Sequence, residues 1–495
     1  MKLKLNYKSP EFILGAFLLL LSIIYIITIF SRIPNGDEGL QAEHIYFLNK
    51  LGYVKSNIWE GYDFGWEIRQ YHYHKGIVLL GFFAIKIFGF SLPALRLVSV
   101  LFYLWFAFLA YRYFNDSVKQ KSTLLFLLLL LVLLLNTVFY EYIFIFRPEV
   151  MMMTFGFASF YYLDKGLKAN STKSIIFGGV FAGLAALMHL IGLTLMVAGG
   201  LTLLFNKKLK YVLVFSAFSI LGLSIYFYDL LSKEAFEGFI HQFFNEASLA
   251  KKQESPFGKI LEEHIRFFNS PKEIIFSTLF FFSLFLNFNY LRKNYGNFLL
   301  YGLSSIVALA FLAPNTTNKY ALLYYPFMGL TIALSLYRFK EFHRAVQVTF
   351  AALFLIYSGY HIGRSFQLSS EHVSIAKHNM AIANELPVKK NVNVFASESF
   401  VFNEIENFTI HSWLAFHRYY TKRQPGYTPS KKDFMEFCDK LDDRYLIFDK
   451  KLFQNALFQY TEKEDIEVGE QWENYQVIVS RPDLLILENT RLAKN

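Results

Sequence analysis

The stretch RIPNGDEGLQAEH, residues 32–44, places two adjacent carboxylates, Asp37 and Glu38, directly after a long apolar run. An ionised carboxylate beside a hydroxyl can take its proton as that oxygen attacks, an effect worth about 10²–10⁴-fold in rate. An acidic residue there can equally serve as a helix cap or complement the helix dipole, and Pro34-Asn35-Gly36 reads as a turn leading into a helix. Further on come Arg69, His72, His74 and Lys75, interleaved with Trp59, Tyr62, Phe64, Trp66, Tyr71 and Tyr73. Such a mixture suits an anionic headgroup and a sugar, and it equally suits anchoring by Trp and Tyr at a membrane interface. His72 and His74, with Asp37, Glu38 and Glu43, also offer imidazole and carboxylate ligands for a divalent metal; ordinary interfacial histidines are the alternative.

These residues must be carried by elements that cross a bilayer. The chain has 495 residues, 54% hydrophobic and 18% charged, with 57 Phe and 32 Tyr, a composition outside the range of soluble domains. A helical span needs about 20 predominantly apolar residues, and eleven segments read as spans: 11–30, 94–114, 122–140, 148–164, 174–188, 190–206, 211–230, 273–291, 297–313, 320–337 and 346–365. The first has no small-residue cleavage site before Arg32 and is expected to stay in the membrane. Lys and Arg gather in cytoplasmic loops. With Lys2, Lys4 and Lys8 inside, alternate short loops are basic: Arg112, Lys119 and Lys121; Lys165, Lys168 and Lys173; Lys207, Lys208 and Lys210; Arg292 and Lys293; Arg338, Lys340 and Arg344. This pattern accounts for the net charge of +10 without a nucleic-acid partner.

The same alternation puts residues 31–93, 231–272 and the tail outside. The expected organisation is an all-α polytopic membrane domain, 1–365, followed by a small α/β domain, 366–495, in which NVNVFAS, RYLIFDK, YQVIVSR and DLLILE read as strands. GIVLLGFFAIKIFGF, after Lys75, is short for a span and reads as an interfacial helix ending at Gly89. The loop 231–272 reads as a flap over the site or as a plain solvated connection. Cys438 is the only cysteine, so no intrachain disulfide forms.

The order of these features resembles the GT-C glycosyltransferases, in particular the protein mannosyltransferases and the lipid A aminoarabinose transferase. The resemblance rests on the Asp-Glu pair after the first span, GFSLPALRLVS at 89–99, FRPEVMMMTFGFASFYYL at 146–163 and NKYALLYYPFMGL at 318–330, and covers roughly residues 10–340. Where the family carries His-Pro-Pro or Lys-Pro-Pro, this chain has Tyr71-His72-Tyr73-His74-Lys75-Gly76. The resemblance implies an inverting transferase, and the absence of disulfides with the short external tail points to a bacterial-type inner membrane. The transferase would move a sugar from a polyprenyl-phosphate donor to a glycan, lipid or protein acceptor at the outer face. It implies Asp37 as general base, with Glu38 beside it. A phosphate leaving group needs cations, for which Arg147, Lys75, His74, Arg69 and Lys319 are the candidates. Glu149 and Glu141 would supply a second carboxylate for the acceptor, or simply pair with Arg147. A lipid-linked sugar transporter or flippase is a competing class, but the span interiors are nearly free of charge and no repeated halves are evident. An oligosaccharide polymerase or ligase would carry its large outer loop late among the spans.

Overall fold

The computed structural model describes residues 9–62, 65–117, 122–245, 256–313, 316–423, 426–452 and 466–493. Lys2, Lys4, Lys8, Phe64, Lys119, Lys121 and the middle of the expected flap, 246–255, lie outside the described residues. All eleven apolar segments contain helix. The helices are α1 (Pro10–Ile27), α2 (Gly36–Leu51), α3 (Lys75–Phe88), α4 (Leu92–Arg112), α5 (Thr123–Leu135), α6 (Thr137–Ile143), α7 (Pro148–Ala169) and α8 (Thr172–Met188). They continue with α9 (Leu193–Phe205), α10 (Leu209–Ser224), α11 (Lys233–Asn245), α12 (Pro256–Phe268), α13 (Pro271–Asn294), α14 (Gly296–Leu312), α15 (Tyr325–Tyr337) and α16 (Arg344–Ser370). Among the described residues, five helices are individually long and apolar enough to cross a membrane, and a sixth crossing is possible through the bent pair α5 and α6.

That pair corrects the unbroken span read over 122–140. The axis turns by 83° between α5 and α6, because Asn136 is extended and its side-chain oxygen accepts from the Phe139 amide at 3.0 Å, restarting the helix in a new direction. Elsewhere the starts follow local chemistry. Ser91 caps α4 with Pro93 in its first turn, and α3 stops at Gly89, whose φ of 80° favours glycine. Helix α7 is buried along almost its whole length. Helices α8 and α10 meet backbone to backbone: a Cβ at Gly222 would lie 2.7 Å from the Val180 carbonyl, and one at Gly183 would overlap that of Ser219. Such small-residue contacts substitute for a hydrophobic drive that lipid does not supply.

The tail forms a six-stranded mixed sheet of β1 (Val392–Phe395), β2 (Phe408–His411), β3 (Asp443–Asp449), β4 (Gln471–Trp472), β5 (Tyr475–Ser480) and β6 (Leu484–Asn489), ordered β2-β1-β3-β6-β5-β4. Strand β1 runs parallel to β2 and β3, and the other pairings are antiparallel. The four strands read from sequence are present, and the sheet adds β2 and β4, of four and two residues. Trp59, Tyr62 and Trp66 of the connection between α2 and α3 are buried in one core with Phe416, Phe434, Phe437 and Leu446 of the tail. They therefore join the loop to the sheet domain rather than anchoring in the interface or facing a ligand.

Candidate functional site

The acid pair begins α2. Asn35 caps the helix, accepting from the Asp37 amide at 3.1 Å, while Glu38 Oε2 accepts from the Asn35 amide at 2.9 Å. Successive helical residues point about 100° apart, so the two carboxylates enter different surroundings. Glu38 turns inward and is wholly buried. Arg96 Nε and Nη2 donate to its two oxygens at 2.8 and 2.6 Å, and the Phe146 amide adds a third bond at 2.8 Å. Saturated in this way, Glu38 has no oxygen left for a reactant, and its expected place as a catalytic carboxylate is corrected to that of a structural one.

Asp37 turns the other way. Arg147 Nη1 donates to its Oδ2, and Lys319 Nζ lies 3.8 Å from the same oxygen. Although Asp37 lies deep among neighbouring atoms, 43% of its side chain is accessible, the mark of a group lining a recess inside the fold. Burial by itself would push the carboxyl up, but the charges of Arg147 and Lys319, with the Arg147 bond, hold it well below the usual carboxylate range. Asp37 is thus ionised at neutral pH.

Arg147 precedes α7 and is nearly buried. Its Nε and Nη2 hold Glu149 at 3.1 and 3.0 Å, and Nη1 also reaches Asn35 Oδ1 at 2.9 Å. Glu149 is accordingly engaged with Arg147, not turned to an open acceptor position. Lys319 is 26% exposed and held only loosely. His74 stacks on His189 with ring centroids 4.3 Å apart. Burial, then the neighbouring His189 and His72, push its imidazole well below the ordinary value, so it is neutral. Asp37, Arg147, Lys319, His74, Glu149 and His189 form one cluster.

The other sequence candidates lie apart from it. Lys75 is buried against Asp229, whose Oδ2 also accepts from the Tyr73 hydroxyl at 2.9 Å, and its ammonium lies 4.7 Å from the Tyr226 ring centre. Its charge is thus neutralised within an aromatic cage, a correction to its expected place beside the phosphate. Arg69 stacks on Tyr53 and Tyr71. Glu141 pairs with Lys272 at 2.9 Å, away from Arg147. His72 packs against Phe243, with ring centroids 5.1 Å apart, while His74 faces His189. The two imidazoles of the metal reading therefore diverge, and among the described residues no three His, Cys, Asp or Glu side chains cluster as a ligand set.

Sequence reasoning missed His189 as a member of the cluster, Asp229 as the counter-ion of Lys75, and Arg96. Arg96 had a signal, being the arginine of GFSLPALRLVS. Glu398, in the short turn after β1, also approaches the site: its carboxyl lies against Gly36, the residue before Asp37.

Residues 79–227 match the family model described as dolichyl-phosphate-mannose-protein mannosyltransferase. The fold is similar to ArnT from Cupriavidus metallidurans bound to undecaprenyl phosphate, with a TM-score of 0.63, 11% identity, and 97% of this chain and 98% of that one covered. The chain shares the overall fold of that structure, and one segment of it matches the mannosyltransferase family model. The fold is also similar to that of the oligosaccharyltransferase AglB from Archaeoglobus fulgidus in complex with an inhibitory peptide and a dolichol-phosphate, with a TM-score of 0.50, 11% identity, and 90% and 70% coverage. The apo form of the Archaeoglobus fulgidus oligosaccharyltransferase aligns with a TM-score of 0.52, 12% identity, and 90% and 71% coverage. No curated protein matches the sequence significantly. The family-model match includes Arg96, Arg147, Glu149 and His189 but begins after Asp37.

Proposed function

We propose that this protein is a GT-C glycosyltransferase that moves a sugar from a polyprenyl-phosphate donor to an acceptor hydroxyl at the outer face of the membrane, with inversion and with Asp37 as general base. The observation that carries this reading is an ionised carboxylate opening into a recess with Arg147 and Lys319 at its side. The undecaprenyl phosphate of the similar ArnT structure supports a lipid-linked donor. In the reaction the acceptor hydroxyl gives its proton to Asp37 as its oxygen bonds to the anomeric carbon. The bond from that carbon to the phosphate oxygen breaks, and polyprenyl phosphate leaves with the electron pair. Lys319, loosely held and partly exposed, stabilises the charge that gathers on the leaving phosphate. Arg147, fixed by Glu149, orients Asp37 and adds to the same positive field. His74 is neutral and presents a hydrogen-bonding imidazole rather than a cation. Our reading keeps the N-terminus cytoplasmic, eleven spans, and the domain from 366 onward outside an inner membrane, supported by the basic loops on alternate connections.

The test uses the full chain in lipid nanodiscs, a panel of polyprenyl-phosphate sugars and a cell-envelope acceptor extract, with release of polyprenyl phosphate as readout. Acceptor-dependent release that Asp37→Asn lowers by at least about 10²-fold, with donor binding retained, is the expected result. Absence of release from every donor would favour a lipid-linked sugar transporter or flippase instead.

A further inference from the structure

The sequence GDEG at 36–39 frames the acid pair with two glycines, and both glycines face the same residue of the tail domain. A Cβ at Gly39 would overlap the carbonyl oxygen of Glu398, and one at Gly36 would lie 3.3 Å from Glu398 Oε2. The absence of side chains at Gly36 and Gly39 thus lets the end of β1 descend onto the first turn of α2. There Glu398 presents its carboxyl next to Gly36, the residue before Asp37. The descent is firmly held. Ser397 caps the short turn containing Glu398, and Asn379 donates to the carbonyls of Ser399 and Phe402 at 2.8 and 2.7 Å. Glu398 nevertheless stays partly exposed. A carboxyl of the tail domain is therefore brought beside the residue that precedes Asp37.

Their electrostatic states differ. Asp37 pairs with Arg147 and Lys319, whereas Glu398 forms no ion pair among the described residues. Burial, reinforced by the charge on Asp37, pushes the Glu398 carboxyl up. A carboxyl accepts from a hydroxyl in either protonation state, and so complements one.

We propose that Glu398 is an acceptor-binding residue through which the tail domain holds a second hydroxyl of a polyhydroxylated acceptor while Asp37 deprotonates the first. This inference rests on the transferase reading above. It gives the tail domain a direct part in the site and assigns the acceptor to the polyols, glycans and glycolipids included, rather than to an isolated serine or threonine hydroxyl.

The experiment again uses the full chain in nanodiscs, with a polyprenyl-phosphate sugar that the wild type consumes and a titrated cell-envelope extract. Glu398→Ala is expected to raise the extract concentration for half-maximal release about tenfold, the loss of one well-placed hydrogen bond. The maximal rate should stay within about threefold and donor binding should be unchanged. Glu398→Gln, whose amide oxygen still accepts from a hydroxyl, should raise half-saturation less than Glu398→Ala does. Should Glu398→Ala fail to fold, Glu398→Asp carries the test, since withdrawing the carboxyl by one methylene should raise half-saturation while leaving the maximal rate. Periodate cleavage of vicinal diols in the extract should remove its acceptor activity. Half-saturation unchanged in Glu398→Ala, or a loss confined to donor binding or maximal rate, would overturn the assignment, and acceptor activity surviving periodate would overturn the polyol class. A wild type that releases nothing would instead sink the transferase reading, so the two failures are distinguishable.

Discussion

Arg96→Met tests the argument that Glu38 is the strut on which Asp37 is mounted. In the native fold the Arg96 guanidinium makes five hydrogen bonds: two to Glu38, at 2.8 and 2.6 Å, and one each to the carbonyls of Ile29, Arg32 and Ile33, at 3.1, 2.9 and 3.3 Å. Both side chains are wholly buried. Methionine fills similar volume but leaves the Glu38 charge without its counter-ion, a loss of about 3–5 kcal/mol for a broken buried pair. Replacing Glu38 by Gln as well removes the stranded charge, so the double variant should recover part of that loss, and the two substitutions should be non-additive by at least about 1 kcal/mol. Denaturant unfolding in mixed micelles, followed by tryptophan fluorescence, measures the cycle. A loss below about 1 kcal/mol for Arg96→Met, or strict additivity, would refute the strut.

Three further outcomes follow from the same geometry. Lys319→Ala, removing the loosely held cation 3.8 Å from Asp37, should weaken undecaprenyl-phosphate binding about tenfold, measured with the purified chain; unchanged affinity would exclude it from the phosphate site. Acceptor-dependent release should not fall as pH drops from 7 to 5 through loss of the base, since Asp37 is held below the usual carboxylate range and stays ionised across that window; a fall there that Asp37→Asn abolishes would contradict the assignment. His411 is wholly buried between Asp443, at 2.8 Å, and Glu60 of the first loop, at 3.1 Å. Burial alone would lower its pKa, but the pair of acids raises it from 6.5 to about 10. Its contribution to stability is therefore complete below pH 6.5 and is lost as pH rises toward about 10. Thermal unfolding should show that decline, and His411→Gln should flatten it.

The sequence by itself determined what depends on neighbours along the chain. Apolar length located the membrane helices, Pro34-Asn35-Gly36 announced the start of α2, Gly89 announced the end of α3, and the tail strands built on short apolar runs were legible. Asp37 was legible too, because an acid pair directly after an apolar run is a local pattern. Tertiary structure alone decided which of the paired acids faces the recess, since one step along a helix rotates the side chain by about 100° and only packing fixes the absolute direction. It likewise decided that Lys75 pairs with Asp229, 154 residues away, and that Trp59, Tyr62 and Trp66 belong to the tail's core. Glu398 was invisible in the sequence for the same reason. Its proximity to Asp37 exists only because Gly36 and Gly39 allow β1 to approach α2, and backbone approach across the fold leaves no periodic trace in the chain.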